Sequence, residues 1–170
     1  DEWKGKHLKD SSSRMKKSFS NWKENHKRKF LQEWKFSALK ESKVSGIPAG
    51  IIVAQAMLES NWGISRLAIT ANNFFGHKHK NKTTYDFVIA ADDSPTDKFT
   101  VYESRWWCIR KHSNILNNRY AKRLKGKSIE HWLEALCGGT TVEESKEFVS
   151  KGGKVYATSC MTEPCYGLKI

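Results

Sequence analysis

The sequence lacks an apolar run long enough to span a bilayer. Its longest apolar stretch, Ile47 to Leu58, is interrupted by Gln55 and falls well short of the roughly 20 residues that a membrane helix needs. The first residues, Asp1 to Lys4, also lack the basic and then apolar pattern of a signal peptide. We therefore predict no membrane span, and we expect any export signal to have been removed from this numbering.

Acidic residues are scarce. The 170 residues include 30 Lys and Arg but only 18 Asp and Glu, which gives a formal net charge of +12. Residues 1–43 carry 13 of the basic and 6 of the acidic side chains, so the excess is concentrated there. A field of this sign attracts nucleic acid, anionic lipid or anionic cell-wall polymer, and charge alone does not choose among them.

The four cysteines include no Cys-x-x-Cys pair, which argues against a zinc ribbon or a thioredoxin-like motif. Their even number predicts at least one disulfide in an exported protein, which is periplasmic, wall-associated or extracellular. Buried reduced thiols are the alternative. Cys160 and Cys165 bracket a short loop and are the first predicted pair, with Cys108 and Cys137 as the second.

Two histidines flank a lysine at His77 and His79, a spacing that suits a metal pair. The surrounding loop is rich in lysine, however, and the sequence favours a solvated basic turn. We predict no metal at this position.

Residues 3–43 show a helical period, and Ser11 to Ser13 are predicted to break the helix and cap a second one. Its aromatic residues lie among basic and polar neighbours. Such a pattern also occurs on nucleic-acid-binding surfaces. We favour aromatics that dock the helix on the domain while the lysines face water, and we expect no nucleic-acid partner. The aromatic and aliphatic positions are Trp22, Phe30, Leu31, Trp34 and Phe36.

A hydrophobic helix is predicted from about Pro48 to Ser60, because proline suits the first helical position. Glu59 is the only charged residue between Lys43 and Arg66, and it falls in the last turn. Burial and the negative helix end would both raise the pKa of this carboxyl, as a general acid requires. The alternative is a partly exposed Glu59 bonded to backbone or paired with Arg66.

The rest of the sequence predicts more helices and one small hairpin. Ser65 caps a short helix through Ala71, and a turn over residues 72–76 carries the amides and aromatic rings that bind sugars. Strand patterns within 80–102 flank an acidic turn at 92–95. Helical patterns follow over 104–117, 128–136 and 142–150. The predicted class is α+β, mainly α.

Three blocks between Ser45 and Lys78 resemble the signature of bacterial peptidoglycan N-acetylglucosaminidases, the family of autolysins and the flagellar wall hydrolase domain. The blocks are Ala-Gln-x-x-Leu-Glu-Ser-x-x-Gly from Ala54, Ser-x-Leu-Ala from Ser65 and Asn-Asn-x-Phe-Gly-x-Lys from Asn72. Weaker matches follow at Phe99 to Ser104, Arg119-Tyr120 and Tyr156 to Thr158. The similarity covers about residues 35–170, and residues 1–34 are expected to form a basic helical extension.

The resemblance implies a lysozyme-like fold, in which a helical lobe and a small β-hairpin lobe flank a glycan-binding groove. It also implies cleavage of the β-1,4 bond between N-acetylglucosamine and N-acetylmuramic acid in peptidoglycan, without a cofactor. Glu59 would protonate the leaving oxygen and Tyr156 would assist at the reacting sugar. We expect a monomer that attaches to an anionic wall through its basic extension. The predicted glycan-binding residues are Gln55, Trp62, Asn73, Phe75, Gly76 and Tyr166.

Several alternatives stay open at the level of sequence. A muramidase or lytic transglycosylase would use the same glutamate on the same polymer, and a wall-binding module would not cleave it. No glutamate lies between Lys78 and Lys98, whereas many relatives carry one there. Asp97 is the first candidate for a second catalytic carboxylate. Asp92 and Asp93 come next, then Asp86, and substrate assistance by the acetamido group is the alternative.

Overall fold

A computed structural model describes residues 2–81 and 84–156 of the chain. Within these ranges the chain is mainly helical with one small antiparallel sheet, which confirms the predicted class. The elements follow in the order α1 (Glu2–Ser45), α2 (Ala49–Glu59), α3 (Arg66–Ala71), β1 (Phe87–Ala90), β2 (Asp97–Thr100), α4 (Arg105–Leu124), α5 (Ile129–Cys137) and α6 (Val142–Ser150).

Helix α1 is continuous over 44 residues. The predicted break at Ser11 to Ser13 is therefore wrong. Serine lowers helix stability by only about 0.5 kcal/mol per residue relative to alanine, and no glycine or proline adds to that penalty here. The helix ends instead at Gly46, whose φ of 74° suits glycine and whose N–H donates to the Ser42 carbonyl.

One stripe of α1 anchors the helix on the domain. Phe30 and Trp34 are buried and stack on each other at 5.2 Å between ring centroids, whereas Trp22, about two turns earlier, is 52% exposed. Phe36 on another face is 78% exposed. Docking is thus confirmed for Phe30 and Trp34 and wrong for Trp22 and Phe36. The predicted boundary between residues 34 and 35 falls inside this continuous helix.

Helix α2 begins after Pro48 and is buried on every side from Ile51 to Met57. It ends sharply at Ser60, whose hydroxyl donates to the Ala56 carbonyl at 2.5 Å and accepts from the Gly63 N–H at 2.8 Å. Because the polar groups of this buried turn are hydrogen-bonded, a mostly apolar helix can end next to the surface. The stop brings Glu59, its last residue, out of the core.

The sheet is a single hairpin in which Phe87 pairs with Thr100 and Ala90 pairs with Asp97. Short helix α3 precedes it, capped by the Ser65 hydroxyl as predicted, with Asn72 in the left-handed conformation at its end. The hairpin packs beside the turn over residues 72–78, since Thr100 donates its N–H to the His77 carbonyl.

Helices α4 and α5 complete the core around α2. The buried side chains are large and apolar, and they come from α1, α2, α4 and α5: Trp34, Ile51, Ile52, Ile109, Leu116, Trp132, Leu133 and Leu136. Among the described residues, no helix combines the length and the apolar content that a bilayer crossing requires.

The predicted pairing of Cys108 with Cys137 is wrong, because the Cys108 thiol is free and buried. Its sulfur accepts a hydrogen bond from the Phe74 N–H at 3.4 Å. Burial raises the pKa of this thiol to about 12, so it stays protonated and behaves as a small core residue. The predicted pair Cys160 and Cys165 lies outside the described residues.

Candidate active site

A groove of about 570 Å³ lies where the end of α2 faces the turn before the hairpin. It brings together four of the predicted site residues: Glu59, Phe75, Gly76 and Tyr156. Two larger cavities flank α1 instead and contain neither Glu59 nor Tyr156. The remaining lining residues of the groove are His77, Lys78, Lys80, Ile115, Asn118 and Arg119.

Glu59 is the last residue of α2, as the sequence predicts. Its expected burial is wrong, because the side chain is exposed on the groove wall. The carboxyl is therefore accessible from the groove, at the C-terminal end of α2.

Tyr156 sits on the same wall, and its backbone N–H donates to the Leu136 carbonyl at 2.7 Å. Burial first, and then the nearby charge of Glu59, raise the pKa of its hydroxyl to about 12. The Arg119 guanidinium opposes this rise. Tyr156 is therefore a neutral hydrogen-bond donor at every physiological pH, within electrostatic range of the Glu59 carboxyl.

The floor of the groove is built by the turn over residues 73–77. The Phe75 ring is buried and lies flat on the His112 imidazole, with 3.7 Å between centroids and 1° between planes. Gly76 follows with a φ of 65°, and a side chain built there would meet no atom within 4 Å. The backbone at Gly76 is thus open to a ligand.

Asn73 lies beneath this turn and fixes its shape. Its side-chain amide donates to the His77 and Thr100 carbonyls, both at 2.9 Å, and its oxygen accepts from the His77 N–H. Asn73 is 1% exposed, so its side chain makes all of these hydrogen bonds within the protein. Asn73 supports the groove from below and does not line it.

Three other predicted site residues lie away from the groove surface or outside the described chain. Gln55 is fully buried, and its Oε1 is 2.7 Å from His112 Nε2. Trp62 lines both cavities along α1 and meets Phe30 edge-on. Tyr166 lies outside the described residues.

Asp97 is on the hairpin and does not line the groove. Its carboxylate accepts from the Ser94 N–H and from Lys78 Nζ, both at 3.1 Å. These two bonds, with the backbone bond the stronger cause, hold the pKa of Asp97 below its usual value. The Asp97 carboxylate is therefore an anion whose hydrogen bonds go to Ser94 and Lys78.

Lys78 connects the hairpin carboxylates to the groove. Its ammonium lies 3.2 Å from Asp92, 2.5 Å from Asp93 and 3.1 Å from Asp97, and these contacts raise the pKa of Lys78. The same three carboxylates form the one acidic cluster of metal-site dimensions among the described residues. Because the Lys78 ammonium already contacts all three carboxylates, we assign them no metal.

The sequence did not reveal the role of His77 or His112. His77 is partly buried and hydrogen-bonded, so its predicted solvated turn is wrong. His112 is fully buried under Phe75. A histidine inside an apolar helical pattern is the available signal for His112, and the Arg-Tyr match had marked Arg119, which lines the groove.

The glucosaminidase family profile, described as mannosyl-glycoprotein endo-beta-N-acetylglucosaminidase, matches residues 35–170. The chain belongs to the glucosaminidase family. It is therefore a glycoside hydrolase, and every residue of the groove falls inside the part that carries the family pattern. The predicted family is confirmed.

Solved structures of other hydrolases share the fold. A peptidoglycan hydrolase from Sphingomonas sp. A1 is 28% identical, with a TM-score of 0.55 over 76% of this chain and 78% of that one. The glycoside hydrolase domain of Salmonella typhimurium FlgJ is 26% identical, with a TM-score of 0.55 over 73% and 84%.

The catalytic domain of the Listeria monocytogenes autolysin Auto shares the fold at 21% identity, with a TM-score of 0.55 over 81% of this chain and 86% of that one. Curated proteins gave no match to the chain. The glucosaminidase assignment therefore rests on the family profile and on the fold of the solved hydrolases.

Proposed function

We propose that this glucosaminidase cleaves the β-1,4 bond between N-acetylglucosamine and N-acetylmuramic acid in peptidoglycan, with Glu59 as the general acid. The observation that carries the proposal is the meeting of Glu59 and Tyr156 on one wall of an open groove. The solved hydrolases at 28% and 26% identity support the substrate class, since one is a peptidoglycan hydrolase and the other a glycoside hydrolase domain.

In this mechanism the Glu59 carboxyl donates its proton to the oxygen of the leaving sugar. A general acid at the negative end of a helix holds its proton more firmly, and it releases that proton when the bond to the sugar breaks. Tyr156 remains neutral and donates a hydrogen bond beside the reacting centre. The open backbone at Gly76 lets a sugar ring approach the floor above Phe75.

The developing positive charge on the sugar needs a second stabilising group. Asp97, the first candidate, is bound by Ser94 and Lys78 outside the groove lining. We therefore infer that the substrate's own acetamido oxygen bonds to the anomeric carbon as the leaving sugar departs, with Tyr156 assisting. Water then displaces the acetamido group and returns a proton to Glu59. Asp97 then acts on the groove only through Lys78, which does line it.

Analysis of the new reducing ends in digested peptidoglycan tests the proposed bond. We expect N-acetylglucosamine at these ends. N-acetylmuramic acid would identify a muramidase, and a 1,6-anhydro end would identify a lytic transglycosylase. Sacculi that bind the protein but show no loss of turbidity would contradict cleavage altogether.

We also propose that the enzyme works as an exported monomer and that its basic extension, residues 1–34, holds it on an anionic wall. Support comes from the exposed helix surface of residues 15–29, where Lys16, Lys17, Lys23, Arg28 and Lys29 face solvent. Charge attraction of this kind is screened as the Debye length shrinks to about 3 Å at 1 M salt. Sacculus pull-down across a salt series should show release, and binding that ignores salt would contradict the attachment.

A further inference from the structure

A chain of four side chains runs beneath the groove from the hairpin side to the helical lobe. The Tyr102 hydroxyl lies 2.7 Å from His77 Nδ1, and His77 Nε2 lies 3.1 Å from His112 Nδ1. His112 Nε2 in turn lies 2.7 Å from Gln55 Oε1. Tyr102 follows β2 and Gln55 belongs to α2, so the chain links the two sides of the groove.

With the Gln55 amide oxygen facing His112, the direction of every hydrogen bond in the chain follows. Gln55 Oε1 only accepts, so His112 Nε2 carries the proton. A neutral imidazole has one N–H and one acceptor nitrogen, so His112 Nδ1 accepts from His77 Nε2. His77 Nδ1 then accepts from the Tyr102 hydroxyl. All three bonds are satisfied by one arrangement of protons with no net charge.

The surroundings keep both imidazoles neutral. Burial, and then the charge of Lys111, lower the pKa of His77 to about 4. Burial, and then His77, lower the pKa of His112 well below its usual value. Among the titratable groups around the pair, Tyr102, Cys108 and Tyr156 stay uncharged and Lys111 is cationic, while the Glu59 carboxyl lines the same groove as His77.

Two members of the chain, His77 and Gln55, lie next to parts of the proposed catalytic site. His77 is held by Asn73, and the neighbouring Phe75 ring stacks on His112. Gln55 lies one helical turn before Glu59 on α2. A shift of any link therefore moves the floor of the groove relative to the catalytic carboxyl.

We propose that His77 and His112 are positioning residues that hold the groove turn in register with Glu59. This inference rests on the proposed glycan cleavage for its activity readout. A displacement of about 1 Å between reacting groups can lower turnover by as much as about 10²-fold. His112 does not line the groove, so its contribution passes through Phe75 and His77 and not through contact with substrate.

The activity test compares His112→Gln with His131→Gln, a matched control on the exposed surface of α5. We expect kcat on peptidoglycan to fall about tenfold in His112→Gln, with KM within about twofold, because the groove surface stays intact while alignment is lost. The control should match the wild type. Wild-type kcat in a folded His112→Gln protein, or a loss confined to KM, would overturn the proposal.

Imidazole ¹⁵N chemical shifts test the chain without substrate, so they separate its failure from failure of the proposed function. At pH 7 we expect both His77 and His112 as neutral Nε2–H tautomers. Tyr102→Phe keeps the ring and removes one donor, and it should raise the pKa of His77. An Nδ1–H tautomer at either histidine, or an unchanged His77 titration in Tyr102→Phe, would overturn the chain. This variant also serves if His112→Gln fails to fold.

Discussion

The two sides of the groove are held in place by opposite kinds of interaction. On the helical side, neutral groups bond to one another in the interior: His112 is fully buried and bonds to Gln55. On the hairpin side, full charges meet in solvent, since the Lys78 side chain is 43% exposed and Asp93 is 86% exposed. Buried neutral bonds fail when a proton is added, whereas exposed ion pairs are screened by salt.

This difference indicates which side of the groove is rigid and which side can adapt. Leaving a buried polar group without a partner costs about 1 to 3 kcal/mol, whereas an exposed ion pair contributes about 0 to 1 kcal/mol. The helical side, with Glu59 and Tyr156, is thus the fixed reference of the groove. The hairpin side is connected to the helical side through His77, and we expect it to tolerate substitutions better.

The largest expected effect is on the helical side. Glu59→Gln removes the proton donor and should lower turnover by about 10²- to 10⁴-fold. The side chain is exposed, so we expect thermal unfolding by circular dichroism to change little. Turbidity clearing of sacculi measures the loss, with Glu134→Gln on the exposed face of α5 as control. A folded Glu59→Gln protein with normal turnover would remove Glu59 from the mechanism.

Acid should destabilise the protein through the buried chain of side chains beneath the groove. The pKa of His77 is about 4 in the fold and about 6.5 in the unfolded chain, so the unfolded state binds more protons between these values. The contribution of His77 to stability should therefore fall by about 2 kcal/mol from pH 6.5 to pH 4.5, and the lowered pKa of His112 adds to this loss.

Denaturant unfolding across this pH range measures the slope, and His77→Gln should reduce it. His131→Gln is the control, because His131 lies exposed on α5 and should leave the slope unchanged. A slope that persists in full in His77→Gln would assign the acid sensitivity to other groups and weaken the contrast between the two sides.

A direct comparison of the sides uses Tyr156→Phe and Asp97→Asn. We expect Tyr156→Phe to lower turnover about tenfold, because a hydrogen-bond donor is lost beside the reacting sugar. Asp97→Asn should stay within about threefold, since this carboxylate is bound to Ser94 and Lys78. Turnover on the same sacculi measures both. A loss of 10²-fold in Asp97→Asn would instead support a two-carboxylate mechanism.

The smallest effect is expected on the hairpin side. Lys78→Met removes the ammonium from three exposed contacts, and the change in stability should be within about 1 kcal/mol. The difference in melting temperature between variant and wild type should be present at low salt and should disappear at 1 M salt. A loss above about 2 kcal/mol that salt does not reduce would show that the hairpin is as firmly fixed as the helical side.

Local sequence signals predicted the elements that frame the groove. Pro48 marked the start of α2, Ser65 marked the start of α3, and alternation with an acidic turn marked the hairpin. Each of these signals acts within a few residues, through a fixed φ, a cap or a turn. The position of Glu59 at the end of α2 followed from the same local reasoning.

Long-range contacts were out of reach of that reasoning. The chain beneath the groove joins positions 25, 35 and 57 residues apart, so its bonds depend on the packing of α2, α4 and the hairpin. Burial was misjudged for a related reason. An uncharged stretch predicts a buried helix, but only the turn at Ser60 determines that Glu59 emerges while Gln55 stays inside.

Because α1 is one continuous helix, the direction of each side chain around its axis is fixed relative to the domain. Met15, Phe19 and Trp22 are 73%, 57% and 52% exposed and lie within about 60° of one another around the helix axis. One residue inserted between Trp22 and Phe30 would turn the exposed aromatics by about 100° around the axis and move them about 1.5 Å along it. Insertion of seven would restore their azimuth to within about 20°. The continuous helix thus fixes how these exposed side chains are oriented relative to the groove.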